Sequence, residues 1–199
     1  NVIGDSVVTG HRTSKAWATK QEFHFYLETN VPFHKAREIE KDGRHKLLLI
    51  FNKKTDQIKI RVGMSAVDID GAQKNLEQEI PDFDFEKVKL NAERAWRKEL
   101  STIQFKSSDQ SVMKNFYTAL YHSYLNPNTF SDVDRRYRGY DGKIYTLAKD
   151  AQDHYTVFSL WDTYRATHPL FTITQVNRTN TFINTLLRHV EQGGTYPNW

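Results

Sequence analysis

The feature that most constrains this chain is a change of hydrophobic period near residue 70. Before it, apolar side chains recur every second residue; after it they recur at helical spacing. Glu22 to Thr29 places Phe23, Phe25 and Leu27 at period two. His45 to Phe51 holds the run Leu-Leu-Leu-Ile-Phe, too short for a typical helix and suited to a buried strand. Turn chemistry follows at Asn52-Lys-Lys-Thr-Asp56, after which Ile58, Ile60, Val62, Met64 and Ala66 alternate with Lys59, Arg61, Gly63 and Ser65. The pattern predicts an antiparallel hairpin with one face buried and one wet.

Helical spacing then takes over. A short helix is expected over Gly71–Glu79, stopped before Pro81. Asp84 caps a second, with Glu86 in its first turn and Val88, Ala92, Ala95, Trp96 and Ile103 as its apolar stripe. A third starts near Ser111, carries Met113, Phe116, Tyr117, Leu120, Tyr121 and Tyr124 on one side, and ends at Asn126-Pro127. The polar connection 126–155 is too long for a mere link and reads as a hairpin or a functional loop. A fourth helix is expected over about Leu160–His168. A fifth covers Val176–Gln192, with Phe182, Ile183, Leu186, Leu187 and Val190 inward and Gly193-Gly194 as its stop. Strands first and helices after define an α+β chain, not a βαβ sheet.

Composition excludes several functions. The 28 basic and 24 acidic residues leave a net charge of +4, but they are interspersed, and the densest basic cluster is only Arg135-Arg136-Tyr137-Arg138. That is a solvated surface, so no nucleic-acid partner is expected. With no cysteine there is no disulfide, thiolate zinc site or cysteine nucleophile. No apolar run approaches the ~20 residues of a membrane span. Zinc-helix, phosphate-loop and nucleophile-elbow motifs are absent, and the histidines show no metal-ligand spacing. Asp132-Val-Asp134 resembles half of a calcium loop, but Arg135-Arg136 supplies the wrong charge, and loop salt bridging accounts for it better.

The densest chemistry lies in Tyr155 to Leu170, where Trp161, Asp162, Tyr164, Arg165 and His168 fall within sixteen residues. On one continuous helix, Asp162, Arg165 and His168 share a face beside the aromatic rings. Polar groups framed by rings suit a sugar, whose hydroxyls need hydrogen-bond partners and whose C–H faces need an apolar platform. An intrahelical Asp162–Arg165 pair beside ordinary core aromatics explains the same letters.

Ordered motifs extend this reading. They include Trp17-Ala18, Phe23-His-Phe-Tyr26, Val62-Gly-Met-Ser65 and Ala95-Trp-Arg-Lys-Glu-Leu100. Further along come Phe116-Tyr-Thr-Ala-Leu-Tyr-His122, Phe130-Ser-Asp-Val-Asp134, Tyr137-Arg-Gly139, Ser159-Leu-Trp-Asp-Thr-Tyr-Arg165, His168-Pro-Leu170 and Glu191-Gln-Gly-Gly194. Together they resemble glycoside hydrolase family 92, the calcium-dependent exo-acting α-mannosidases common in gut and soil bacteria, with an α-1,2-mannosidase-like character. The resemblance implies the end of a β-sandwich over residues 1–68, linker helices over 69–106 and the opening helices of an (α/α)6 barrel over 107–199. It implies release of terminal mannose with inversion, which needs an acid and a base roughly 6.5–9.5 Å apart. Asp162 corresponds to a hydroxyl acceptor in the mannose pocket, and Trp161 and Arg165 to residues that shape it. The general acid, the general base and most ligands of the Ca2+ cofactor are expected beyond Trp199, in the remainder of a parent polypeptide, with no metal ligand assigned in this chain. The expected partner is a mannose-containing oligosaccharide or glycan, and the expected location is secreted, periplasmic or cell-surface. Arg135 stands where the family usually has Gly, which puts the local loop geometry in question. The rival reading is a non-catalytic carbohydrate-binding or scaffolding module.

Overall fold

A computed structural model describes residues 1–16, 18–52, 54 and 56–197. Trp17, part of the first matching motif, Lys53 and Thr55 of the expected turn, and Asn198 and Trp199 lie outside the described residues. The chain is α+β and divides into two compact units, residues 1–83 with 132–134, and residues 84–131 with 135–199.

The first unit is built on an antiparallel sheet. Its strands are β1 (Val2–Ile3), β2 (Val7–Ser14), β3 (Gln21–Thr29) and β6 (Ile60–Ser65), in the order β1-β2-β3-β6. A separate ribbon pairs β4 (Lys35–Lys41) with β5 (Arg44–Ile50). The expected pairing of 45–51 with 58–66 is therefore incorrect: β5 pairs with β4, and β6 pairs with β3. Asp42 and Gly43, both at positive φ (55° and 67°), form a two-residue turn whose twist matches a tight hairpin, and this turn sets the pairing. The Leu-Leu-Leu-Ile run is not a buried strand either, since Leu47, Leu48 and Ile50 are exposed in the ribbon.

Helix α1 (Ile69–Glu79), capped by Asp68 accepting from the Gly71 N–H at 2.7 Å, lies against this sheet and buries Gly71, Ala72 and Leu76. It covers the small-residue face of β6. Gly63 and Ser65 are buried, whereas Ile60, Val62 and Met64 are 55%, 43% and 57% exposed. The reason is close approach: a Cβ on Gly63 would stand 2.0 Å from the Ala72 carbonyl oxygen and 2.7 Å from Leu76 Cβ. Residues 132–134 complete this unit. Ser65 Oγ donates to Asp132 Oδ2 at 2.6 Å, Asn75 Nδ2 donates to Oδ1 at 2.8 Å, and the Val133 N–H donates to Asn75 Oδ1 at 2.8 Å. Lys74 pairs with Asp134 at 3.2 Å. Asp132-Val-Asp134 thus works as a hydrogen-bonded, ion-paired loop.

The second unit contains α2 (Phe85–Leu100) and α3 (Gln110–Ser123), then the strands β7 (Asn128–Thr129), β8 (Arg136–Arg138), β9 (Ile144–Thr146) and β10 (Tyr155–Thr156). Three further helices follow, α4 (Leu160–Thr163), α5 (Thr167–Thr174) and α6 (Val176–Gly193). Asp84 caps α2 as expected, accepting from the Lys87 N–H at 3.0 Å. The long connection is a hairpin of β8 with β9, closed at its ends by β7 on β10. The core is a cluster of Tyr155, Phe158, Phe171 and Phe182, with Tyr124 and Leu186 packed against it. On α6, Ile183 and Leu187 are exposed, contrary to the expected inward face. Thr181 and Thr185 are buried instead, because their hydroxyls find partners inside: Thr181 Oγ1 donates to Gln152 Oε1, and Thr185 Oγ1 donates to the Thr181 carbonyl at 3.0 Å and accepts from the Tyr155 N–H at 3.3 Å.

Replacing Gly63 with Ala forces the new methyl into α1 backbone, which cannot swing aside. Gly63→Ala is expected to lower the stability of the first unit by about 2–3 kcal/mol, read from the urea midpoint followed by far-UV circular dichroism.

Candidate functional site

The predicted site residues sit on an exposed turn between two buried rings. Phe158 and Phe171 are both in the core, and the segment between them carries Trp161, Asp162 and Arg165 to the surface. The expected continuous helix does not form: α4 ends at Thr163 and α5 begins at Thr167. Pro169 is the cause, since a helix running through it would need its missing N–H to reach the Arg165 carbonyl. The break takes His168 away from Asp162 and Arg165. His168 faces the core instead, with its ring 5.8 Å from Phe171 and 6.4 Å from Phe182, and burial lowers its pKa.

Ser159 organises the turn. Its Oγ donates to Asp162 Oδ2 at 2.6 Å, and its carbonyl accepts from the N–H groups of Asp162 and Thr163, both at 3.1 Å, and from Thr163 Oγ1 at 2.8 Å. Among the described residues Asp162 Oδ1 has no hydrogen-bond partner, so one carboxylate oxygen stays open as an acceptor. Arg165 does not pair with Asp162. Its Nη2 donates to Tyr164 Oη at 3.0 Å, and its guanidinium lies 5.6 Å from the centre of that ring. Trp161 is 67% exposed and Tyr164 59%, so both rings stand in water beside a fixed carboxylate. The chain enters this turn through Val157 at φ +62°, a left-handed conformation that a β-branched residue adopts only under strain.

Behind the turn is a constellation that the sequence did not reveal. His154, 1% exposed, stacks on Tyr137 with ring centres 4.0 Å apart. Its Nδ1 accepts from Arg188 Nη1 at 3.4 Å, because a guanidinium is only a donor. The neutral ring therefore carries its proton on Nε2 and donates to His189 Nε2 at 3.3 Å. His189 must then hold its own proton on Nδ1, which is buried and has no hydrogen-bond partner among the described residues. Two separated motifs meet at the same place: Gln192 donates to Tyr137 Oη at 3.0 Å and accepts from the Tyr140 N–H at 3.0 Å. Gly193 is needed there, since a Cβ would fall 2.4 Å from the Tyr140 ring. His154 and His189 are too far apart in sequence for any spacing signal to join them.

Arg135 resolves the departure noted in the sequence. Its φ of +73° is the left-handed conformation that glycine adopts without strain. The guanidinium offsets that strain by donating to the carbonyls of Leu147, Ala148 and Ala151. Among the described residues no group of three or more His, Asp or Glu side chains is arranged to hold a metal ion, and Asp132 and Asp134 are engaged by Ser65, Asn75 and Lys74. These residues do not fit a calcium site. No helix among them is long and apolar enough to cross a membrane.

The structure superposes on the family GH92 α-mannosidase BT3965 from Bacteroides thetaiotaomicron with a TM-score of 0.87 and 28% identity, over 96% of this chain and 28% of that one. The same enzyme solved in complex with mannoimidazole matches at TM-score 0.85 and 27% identity, covering 96% and 27% of the two chains. The family GH92 inverting mannosidase BT2199 from the same organism shares the fold at TM-score 0.84 and 21% identity, over 98% of this chain and 28% of that one. A protein of Arthroderma benhamiae described as an uncharacterized secreted glycosidase is 39% identical over 79 residues, 38% of this chain and 10% of that protein. The family model for the glycosyl hydrolase family 92 catalytic domain matches residues 71–199, and the chain belongs to that family. It spans between a tenth and three tenths of the length of these relatives.

Two outcomes follow from the buried groups. Burial, then His189 and Arg188, lower the His154 pKa from 6.5 to about 3, and burial and Arg188 also lower that of His189. The neutral rings belong to the folded state, so unfolding takes up protons below pH 6.5. Stability is complete above that pH and falls by about 1.4 kcal/mol per pH unit for His154 as pH drops toward 3, measurable as the urea midpoint at each pH. For Arg135, the Ala variant loses the carbonyl contacts and keeps the strain, whereas the Gly variant loses the contacts and also relieves the strain. Arg135→Ala should be less stable than Arg135→Gly by about 1 kcal/mol in parallel denaturant titrations.

Proposed function

We propose that this chain is part of an exo-acting α-mannosidase that releases terminal mannose with inversion, and that it contributes the turn at Trp161, Asp162 and Arg165 to the mannose pocket. The observation that carries the reading is the Trp161–Asp162 turn. It is exposed and clamped between buried rings, on a chain that follows over 96% of its length an α-mannosidase solved with mannoimidazole. Asp162 Oδ1 accepts from a sugar hydroxyl, Trp161 offers its ring face to the sugar C–H surface, and Arg165, set by Tyr164, borders the pocket. An inverting pair of carboxyl groups needs room for a water between them. We assign that acid and base, and the ligands of any Ca2+, to parts of the parent polypeptide beyond these 199 residues. The substrate is a mannose-containing glycan. A secreted, periplasmic or cell-surface location is supported by the relative described as secreted.

The test is release of free mannose from α-1,2-mannobiose by a parent polypeptide of the relatives' length, with and without a calcium chelator, and by the present chain. Chelator-sensitive release by the parent alone supports the reading. Trp161→Ala and Asp162→Asn in the parent should each reduce kcat/KM on the order of 10- to 100-fold. Wild-type rates in both variants would remove the turn from the pocket.

A further inference from the structure

The β4–β5 ribbon carries opposite charge on its two faces. Paired residues of an antiparallel ribbon share a face, and every second residue along a strand returns to it. Lys35 opposite Ile50, Arg37 opposite Leu48 and Ile39 opposite Lys46, with Lys41 beyond them, therefore lie on one face. Ala36 opposite Leu49, Glu38 opposite Leu47 and Glu40 opposite His45 lie on the other. A diagonal contact agrees with this division, since His45 Nδ1 stands 2.8 Å from Glu38 Oε1. Among the described residues one face thus holds four cations and no acid, and the other holds two acids.

The basic face is open along its whole length. Ala36 and Leu49 are the only partly buried residues of the ribbon among those described, and both lie on the acidic face. The side chains of Lys35, Arg37, Lys41 and Lys46 make no ion pair or hydrogen bond with a described residue. They stand one to each level of the ribbon, at steps of roughly 7 Å, three on β4 and one on β5. Between them are aliphatic side chains left in water: Ile39 is 38% exposed, Leu48 46% and Ile50 38%.

This mixture decides what the face fits. Another protein layer is a poor cover, because a cation buried without a counter-ion is strongly disfavoured. A soluble polyanion uses the cations and gains little from the aliphatic groups. An anionic bilayer uses both: its phosphates meet the cations, its acyl boundary takes the methyl groups, and the Lys and Arg stems bridge the two. We propose that the basic face of the β4–β5 ribbon docks the protein on a bilayer surface of anionic phospholipid. The role assigned to Asp162 does not enter, since Asp162 belongs to the other unit.

The test is flotation of a parent polypeptide of the relatives' length with vesicles of equal parts phosphatidylglycerol and phosphatidylcholine, and with phosphatidylcholine alone. Binding to the mixed vesicles only, weakening as salt rises, is expected. Each basic residue near an anionic surface contributes about fivefold, so Arg37→Gln combined with Lys46→Gln should lower partitioning about 30-fold. Ile39→Ser combined with Leu48→Ser should lower it on the order of tenfold. Glu38→Gln combined with Glu40→Gln, on the opposite face, should not lower it. A thermal melt of each variant separates lost docking from lost folding, and the salt series on the wild type needs no variant. Equal binding to both vesicles, unchanged partitioning in either pair on the basic face, or no binding by the parent would each overturn the proposal. Tighter retention by heparin or duplex DNA than by the mixed vesicles would also overturn it and assign the face to a soluble polyanion. Failure of Asp162→Asn to slow mannose release is read separately and bears only on the turn.

Discussion

The second unit depends on the ring of Phe182. Tyr155 meets it edge-on at 4.8 Å, Phe158 edge-on at 5.9 Å, Phe171 at 5.9 Å and His168 at 6.4 Å. All four partners come from one stretch of chain, residues 155–171, while Phe182 comes from α6. Packing of this kind fixes both ends of that stretch and leaves its middle free to face water. The exposed turn at Trp161 is therefore as well positioned as a helix face would be, although it makes few contacts of its own. A pocket residue needs that combination, rigidity supplied from below and an open surface above.

The sequence carried the element types more faithfully than their partners. Alternation in β6, the caps at Asp84 and Gly194, and the hairpin within 126–155 were all legible, because each rests on neighbours within a few residues. Strand pairing was not. The period-two signal of 58–66 says that a strand exists, and only the Asp42-Gly43 turn says that 44–50 is already committed to 35–41. Alternation also does not state which face is covered. Here Gly63 and Ser65 let α1 approach, and Ile60, Val62 and Met64 lie on the opposite face with their register partners Thr29, Leu27 and Phe25.

The site divides in the same way. Trp161, Asp162 and Arg165 were visible as a cluster of residue types, but their relation was not, because Pro169 acts four residues upstream of itself and breaks the shared helical face. Asp162 is bonded by Ser159 and Arg165 by Tyr164, so the expected carboxylate–guanidinium pair gives way to two separately held groups. A paired Asp162 would have both its charge and its lone pairs engaged. Held by a neutral hydroxyl, it keeps its charge and one open oxygen, which is what an acceptor for a sugar hydroxyl requires.

The two histidines show why residues remote in sequence stay hidden. His154 and His189 are ordinary letters until β10 and α6 bring them together, and their proton positions then follow from a single fact, that Arg188 can only donate. The resulting chain of donors ends on a buried His189 Nδ1 that has no hydrogen-bond partner among the described residues. Such an arrangement is costly and persists only where the surroundings over-determine it. Here they do: Tyr137 stacks on His154 while Gln192 bonds both Tyr137 and Tyr140, and Gly193 gives the Tyr140 ring its place. The motifs Tyr137-Arg-Gly139 and Glu191-Gln-Gly-Gly194, distant in the chain, thus form one packed cluster. Its geometry accounts for Tyr137, Gly139, Gln192 and Gly193, and ties the end of α6 to the β8–β9 hairpin.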